Sequence, residues 1–275
     1  MQVEEARRLL AERLGSGPRP PSPESARAAI AHLAHPGTLG PLVRRLSAGD
    51  LDLPECTRLS YRHVLGFDKL LLLPGAPRFM LRVHFWHGRT GAAPEDIHNH
   101  RCVIASAVVR GRVRMECYEP AADGVPAVAY RETIDGPGGT WRLRRVGDAR
   151  LRLVRTERYG AGRSYGLDAR ALHRVVSEEP TVTLFLETAP QRSVTDVYVK
   201  KSSLVRNSSL ARDSGRARDS SPVRDSGPDR DGGYGSGAGA FRSGGAERAD
   251  PLPKTPLSPA VYLAELDALA RSLGY

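Results

Sequence analysis

The sequence predicts an all-β barrel or sandwich, with a helical layer in front of it and a low-complexity tail behind. Three observations carry that reading. Residues 52–200 break into short runs rich in Val, Leu, Tyr and Thr, punctuated by Gly, Pro and Asp turns. Residues 3–49 repeat apolar positions at helical spacing instead. Residues 201–255 hold almost nothing apolar to bury.

The helices come first. "VEEARRLLAERL" sets Val3, Ala6, Leu9, Leu10 and Leu14 on one side. "SPESARAAIAHLA" opens with Ser22-Pro23 and acidic Glu24, a capped start, and stops before Pro36. "TLGPLVRRLSAG" reads as a third short helix closed by Gly49. The strands follow in "DKLLLLPGAP", "RFMLRVHFWHG", "RCVIASAVVRGRVRMECYEP", "VAYRETIDGPGG", "TWRLRRVGDARLRLVRTERYG", "HRVVSEEP", "TVTLFLETAP" and "TDVYVK". Within "RFMLRVHFW", Leu81, Val83 and Phe85 alternate with Arg82, His84 and Trp86. The polar set is expected to face a barrel interior, and the apolar set a helical layer or a second sheet.

Beyond residue 200 the chain repeats Arg-Asp in hexads, at Arg212-Asp213, Arg218-Asp219, Arg224-Asp225 and Arg230-Asp231, then runs into Gly, Ala and Ser. That composition predicts a disordered linker. "LSPAVYLAELDALARSLGY" then restores helical spacing at Val261, Leu263, Leu266, Leu269 and Leu273. The expected organisation is therefore helices over 1–50, a barrel over 51–200, a disordered tail over 201–255 and an amphipathic helix over 256–275.

Charge and composition exclude several classes. The formal net charge of +10 comes from basic residues that are mostly Arg and are interleaved with acids, which disfavours a nucleic-acid-binding face. No run approaches the length of a membrane span, and "MQVEEARRLLAERL" lacks the apolar block of a signal peptide. Cys56, Cys102 and Cys117 are too few and too scattered for a disulfide framework or zinc knuckle. These features predict a cytoplasmic chain that binds neither nucleic acid nor membrane.

Chemistry concentrates at "EDIHNHRCVIASAVVRGRVRME". His98 and His100 are two apart at the head of an apolar, β-branched run, and residues i and i+2 of a strand share a face. Their imidazoles can converge on one ion, and a third ligand would come from another strand. His173, opening the run His173-Arg174-Val175-Val176, supplies it. Imidazoles suit Fe, Zn, Ni and Cu, so the ligands alone do not name the metal. His32 and His35, three apart on the second helix, read as ordinary helix histidines. His84 and Trp86 alternate inward with Arg82 and could line the pocket, Trp86 against the substrate and His84 either as a catalytic group beside the metal that moves a proton or as an ordinary barrel histidine. Glu187, on the polar side of "TVTLFLE", is an acid/base candidate or a rim ion pair, and Tyr165 is expected to reach the cavity.

At these residues the chain resembles the cupin superfamily. "IHNHRCVIASAVVRGRV" followed by "ALHRV" is similar to its two motifs, with Gly111 as the turn glycine, over roughly residues 55–200. Within the superfamily it looks most like the cysteine dioxygenase (thiol dioxygenase) group, through "SYRHVLG", "LRVHFWHG", "IHNH" and "HRV". That resemblance implies an RmlC-like jelly-roll barrel holding one Fe(II) through His98, His100 and His173, with Zn, Ni or Mn as alternatives. Ordinary cupins carry a Glu ligand at the position of Ala105, so the resemblance implies a site without a carboxylate ligand. Arg62 matches the arginine that clamps a substrate carboxylate in that group. Where the group carries a Ser-His-Tyr relay, this chain has Thr183, Phe185 and Glu187.

The expected function is a non-haem iron oxygenase acting on a small anionic, carboxylate-bearing substrate, an amino acid or thiol-like molecule, with O2 as the second reactant. A cupin-type isomerase, lyase or cyclase is the alternative, and a non-enzymatic small-molecule binder ranks behind both.

Overall fold

The computed structural model describes residues 1–275 except 16, 18, 51, 64–66, 76–78, 88–94, 136–139 and 202–254. The tail expected over 201–255 thus lies outside the described residues, apart from Lys201 and Thr255.

The helical layer forms from α1 (Val3–Leu14), α2 (Pro23–Leu33) and α3 (Pro36–Ser47), followed by a short α4 (Leu53–Arg58). Ser22 caps α2 by accepting from the Ser25 backbone N–H at 3.0 Å. His35 caps α3 by accepting from the Gly37 N–H at 3.3 Å, so this histidine serves a helix end. The final helix, α5 (Pro259–Ser272), starts on a Ser258 cap.

Among the described residues, twelve antiparallel strands make two sheets. The seven-stranded sheet runs β12 (Thr255–Pro256), β1 (Tyr61–Arg62), β2 (Phe67–Gly75), β3 (Phe79–Trp86), β10 (Thr181–Glu187), β5 (Ile104–Arg110) and β8 (Ser164–Leu167). The five-stranded sheet runs β11 (Val194–Lys200), β4 (Ile97–His98), β9 (Leu172–Ser177), β6 (Arg112–Asp135) and β7 (Thr140–Gly160). The expected all-β architecture behind a helical layer is what the chain builds. Gly111 makes the turn between β5 and β6 at φ 80°, where a Cβ would lie 2.6 Å from the Pro180 carbonyl.

Alternation in the seven-stranded sheet sorts its side chains. Leu81, Val83, Leu184 and Leu186 pack in one cluster with Leu10, Ile30, Leu39 and Leu46 of the helices. The other face looks across to the five-stranded sheet, where Ile104, Val108 and Phe185 meet Val113, Met115 and Val175. Both faces are buried, which explains why the strands read as nearly continuous apolar runs.

The terminal helix belongs to this core. Tyr262, Leu266 and Leu269 of α5 are buried in the same cluster as α1–α3. The Tyr262 hydroxyl donates to the Leu71 carbonyl at 2.5 Å, and Thr255 pairs with Arg62 at the sheet edge. Residues 256–275 are therefore part of the barrel's outer layer. No helix among the described residues is long and apolar enough to cross a membrane.

Removing the fully buried ring with Tyr262→Ala should destabilise the protein by about 3–5 kcal/mol, and Tyr262→Phe by about 1–2, since the latter strands only a carbonyl. Urea unfolding measures both. Equal losses would show that the hydroxyl and not the ring anchors the helix.

Candidate metal centre

The two sheets meet over three imidazoles. His98 on β4 stands directly opposite His173 on β9 in the antiparallel register. His100 lies two residues further on, in the segment after β4, where its backbone N–H donates to the Ala169 carbonyl at 3.1 Å. The ring centroids of the three pairs are 4.8, 5.0 and 5.1 Å apart. One ligand nitrogen from each ring falls within 4.8 Å of the other two.

Hydrogen bonds prepare these rings as ligands. His98 Nδ1–H donates to the Asp96 carbonyl at 2.9 Å, and His173 Nδ1–H to the Ala171 carbonyl at 3.0 Å. Each bond fixes the tautomer that leaves the Nε2 lone pair free. His100 Nε2 is buried and has no hydrogen-bond partner among the described residues. Burial holds His98 and His173 at about 4, and it pushes His100 well below the usual imidazole value, with its two neighbours adding to the effect. All three are neutral at pH 7. Neutral imidazoles with lone pairs facing one another, one of them orphaned, fit a metal ion.

The opposite wall comes from β2, β3 and β10. His84 stacks on Phe185 at 4.7 Å, and Phe185 lies 6.0 Å from His100. Trp86 stacks on Phe67 at 4.1 Å, and its Nε1–H donates to Thr183 Oγ1 at 3.4 Å. His84 and Trp86 thus line the interior on the side expected for them. His84 Nε2 is the second buried nitrogen without a partner among the described residues.

The other candidate residues fall differently. Arg62 pairs in register with Asp68, which pairs with Phe85, so all three share the face turned away from the histidines. Its guanidinium binds the fully buried Asp68 carboxylate bidentately, at 2.9 and 3.1 Å. The expected substrate clamp is therefore corrected to a structural ion pair. Glu187 sits at the far end of β10, paired with Arg82 at 3.0 Å, which makes it the rim ion pair and not a free acid/base group. Tyr165 is buried in the apolar cluster with Phe185 and Val175, beside its cross-strand partner Ser106. Burial pushes its hydroxyl pKa up, which keeps the phenol protonated.

Two inward residues were not singled out in the sequence. The Glu95 carboxylate accepts from the Val175 N–H at 3.0 Å, and burial raises its pKa. It lies three residues before His98, on the opposite side of the histidine pair from the position where ordinary cupins place their glutamate. Lys69 shares a register row with Tyr61 and His84, and hence their face. The signal for it was a lysine beside Asp68 at the head of an apolar strand, in a chain with few lysines.

No family model and no curated protein matches this sequence. Solved structures that resemble it in part include a DMSP lyase, at 15% identity and TM-score 0.29, over 45% of this chain and 47% of that one. KdgF from Halomonas sp. matches at 15% identity and TM-score 0.31, over 49% of this chain and 91% of that one. The hydroquinone 1,2-dioxygenase PnpCD, solved with Cd2+ and 4-hydroxybenzonitrile, matches at 15% identity and TM-score 0.30, over 59% and 77%. The chain spans about half the length of the first of these. Scores of this size assign neither family nor chemistry to it.

Two outcomes follow from the geometry. Arg62→Met should lower stability by about 1–2 kcal/mol and leave metal content unchanged. The loss is below the usual figure for a buried pair because Arg62 is 57% exposed and His87 still reaches Asp68 at 3.0 Å. The second concerns pH. The folded pKa values of His98 and His173, about 4, lie below the unfolded value of about 6.5. The unfolded chain therefore takes up protons first as pH falls. Stability of metal-free protein, full above pH 6.5, should decline between pH 6.5 and 4, on the order of 3 kcal/mol per imidazole. Urea midpoints in chelator would measure it, and a flat profile across that window would contradict the burial of these rings.

Proposed function

We propose that this chain is a mononuclear metal-dependent enzyme of cupin type, a non-haem Fe(II) oxygenase acting on a small carboxylate-bearing molecule such as an amino acid or thiol. The observation that carries the reading is the trio His98, His100 and His173, neutral, His173 buried and the other two half-buried, with ligand nitrogens gathered within 4.8 Å. A ferrous ion held there would offer positions to substrate and dioxygen and relay the electrons that the substrate gives up to oxygen. The remaining work falls to the protein. The Asp96 and Ala171 carbonyls hold two imidazoles in the ligating tautomer. Phe67, Trp86 and Phe185 keep water from the inner wall, which strengthens every charge interaction inside. His84 offers an unpartnered nitrogen to whatever binds beside Phe185.

Glu95 favours a second reading, a metal-dependent isomerase or lyase. Burial raises the pKa of its half-buried carboxylate against the opposing charge of Lys69, and His173 and Tyr165 are its further electrostatic neighbours, so it is the group placed to hold or take a proton there. There the metal would act as a Lewis acid and Glu95 would move the substrate proton.

Metal analysis of the full chain tests the site, and oxygen consumption separates the readings. One ion should bind per chain, and His173→Ala should lose it. Full occupancy in that variant would remove His173 from the site. With iron added, turnover that consumes oxygen supports the oxygenase. Turnover that persists without oxygen and falls in Glu95→Gln supports the second reading.

A further inference from the structure

With Arg62 facing outward, the anion-binding role at this site is open, and the inner wall offers a different pair of groups for it. Lys69 and His84 are direct cross-strand partners on β2 and β3, so both side chains rise from the interior face within one register row. The ammonium of Lys69 lies 5.2 Å from the Phe67 ring centroid, and among the described residues it forms no ion pair. His84 is 5% exposed, and its Nε2 has no partner among the described residues. A buried nitrogen left bare costs stability, about 1–3 kcal/mol, unless something bound there satisfies it. His84 is also not one of the three gathered ligand histidines.

An aromatic path leads from this pair to the metal centre. Phe67 stands 5.7 Å from His84, His84 is 4.7 Å from Phe185, and Phe185 is 6.0 Å from His100. The charge of Lys69 is felt along the whole path, since it disfavours protonation of His84, His98 and His100.

The geometry points to Lys69 and His84 as a two-point carboxylate clamp on the inner wall facing the histidines, with Arg62 taking no part. The ammonium takes one carboxylate oxygen, and the Nε2–H of a neutral His84 takes the other. The substrate class that fits is a small monocarboxylate with an apolar middle, lying along Phe67 and Phe185, and a metal-binding heteroatom at its other end. This inference rests on the metal-centre reading above, which supplies the second anchor.

The test uses the full chain loaded with Zn2+, which occupies the histidines without redox chemistry. A graded series of ω-hydroxycarboxylates and the matching ω-hydroxyamides is titrated calorimetrically. Wild type should prefer carboxylate over amide by about tenfold or more at the best-fitting length, the size expected of charge-assisted hydrogen bonds. Lys69→Met and Lys69→Gln should both abolish that preference at unchanged zinc content, and Lys69→Arg should keep part of it. His84→Phe should weaken carboxylate binding while amide binding changes less. Arg62→Met should keep the full preference. Retained preference in both Lys69 variants overturns the clamp, as does its loss in Arg62→Met, and so does a wild type that binds no carboxylate of the series. Zinc content is read separately: zinc that fails to bind, or that stays in His173→Ala, refutes the metal centre. A carboxylate preference lost only in the Lys69 variants would then still identify the anion site.

Discussion

The strict two-residue alternation of strands buried on both faces is the constraint on which this molecule depends. On β3, Leu81, Val83 and Phe85 go to the helices while Arg82, His84 and Trp86 go to the interior, and β10 divides its residues in step. A shift of one residue would turn His84 and Phe185 into the helical layer and bring leucines over the histidines. The helices hold that register by burying the outer face, so α1–α3 and α5 support the chemistry without touching it.

The same alternation sorts the charges. Arg62 and Asp68 fall on the outer face, where they neutralise each other under the edge of the sheet. Lys69, the next residue along, falls on the inner face among aromatic rings. Adjacent residues of one strand thus serve opposite ends of the design, one closing a structural ion pair and one leaving a cation facing the pocket. Glu187 and Arg82 close the far end of the wall in the same way.

Burial gives the three histidines their character. Removing water from an imidazole penalises its charged form, so the rings are neutral and their lone pairs available at neutral pH. The backbone carbonyls two residues before His98 and His173 take up the other nitrogens, which sets the ligating atom by local geometry alone. Only His100 and His84 keep a buried nitrogen without a partner among the described residues. The interior therefore sets these two unsatisfied nitrogens among aromatic side chains and the paired polar groups around them.

The sequence by itself determined the class of fold, the helical layer and the three gathered histidines. Fold class and helices rest on periodicity, and the histidines on their spacing and on the later strand that opens with His173; the structure sets His100 just past β4 and brings His173 in from β9. The sequence also placed His84 and Trp86 inward, because eight alternating residues leave no ambiguity. It misjudged Arg62, since β1 is only two residues long and its facing is set by pairing with β2. It read Glu187 as acid/base or rim without deciding, and Arg82 on the neighbouring strand decided it. The long β6–β7 hairpin was read as separate runs because the irregularity between Pro120 and Val125 interrupts its pattern. Glu95, Lys69 and the docking of α5 were settled only by the tertiary structure. Each depends on which distant backbone or side chain lies opposite, and no period along the chain encodes that.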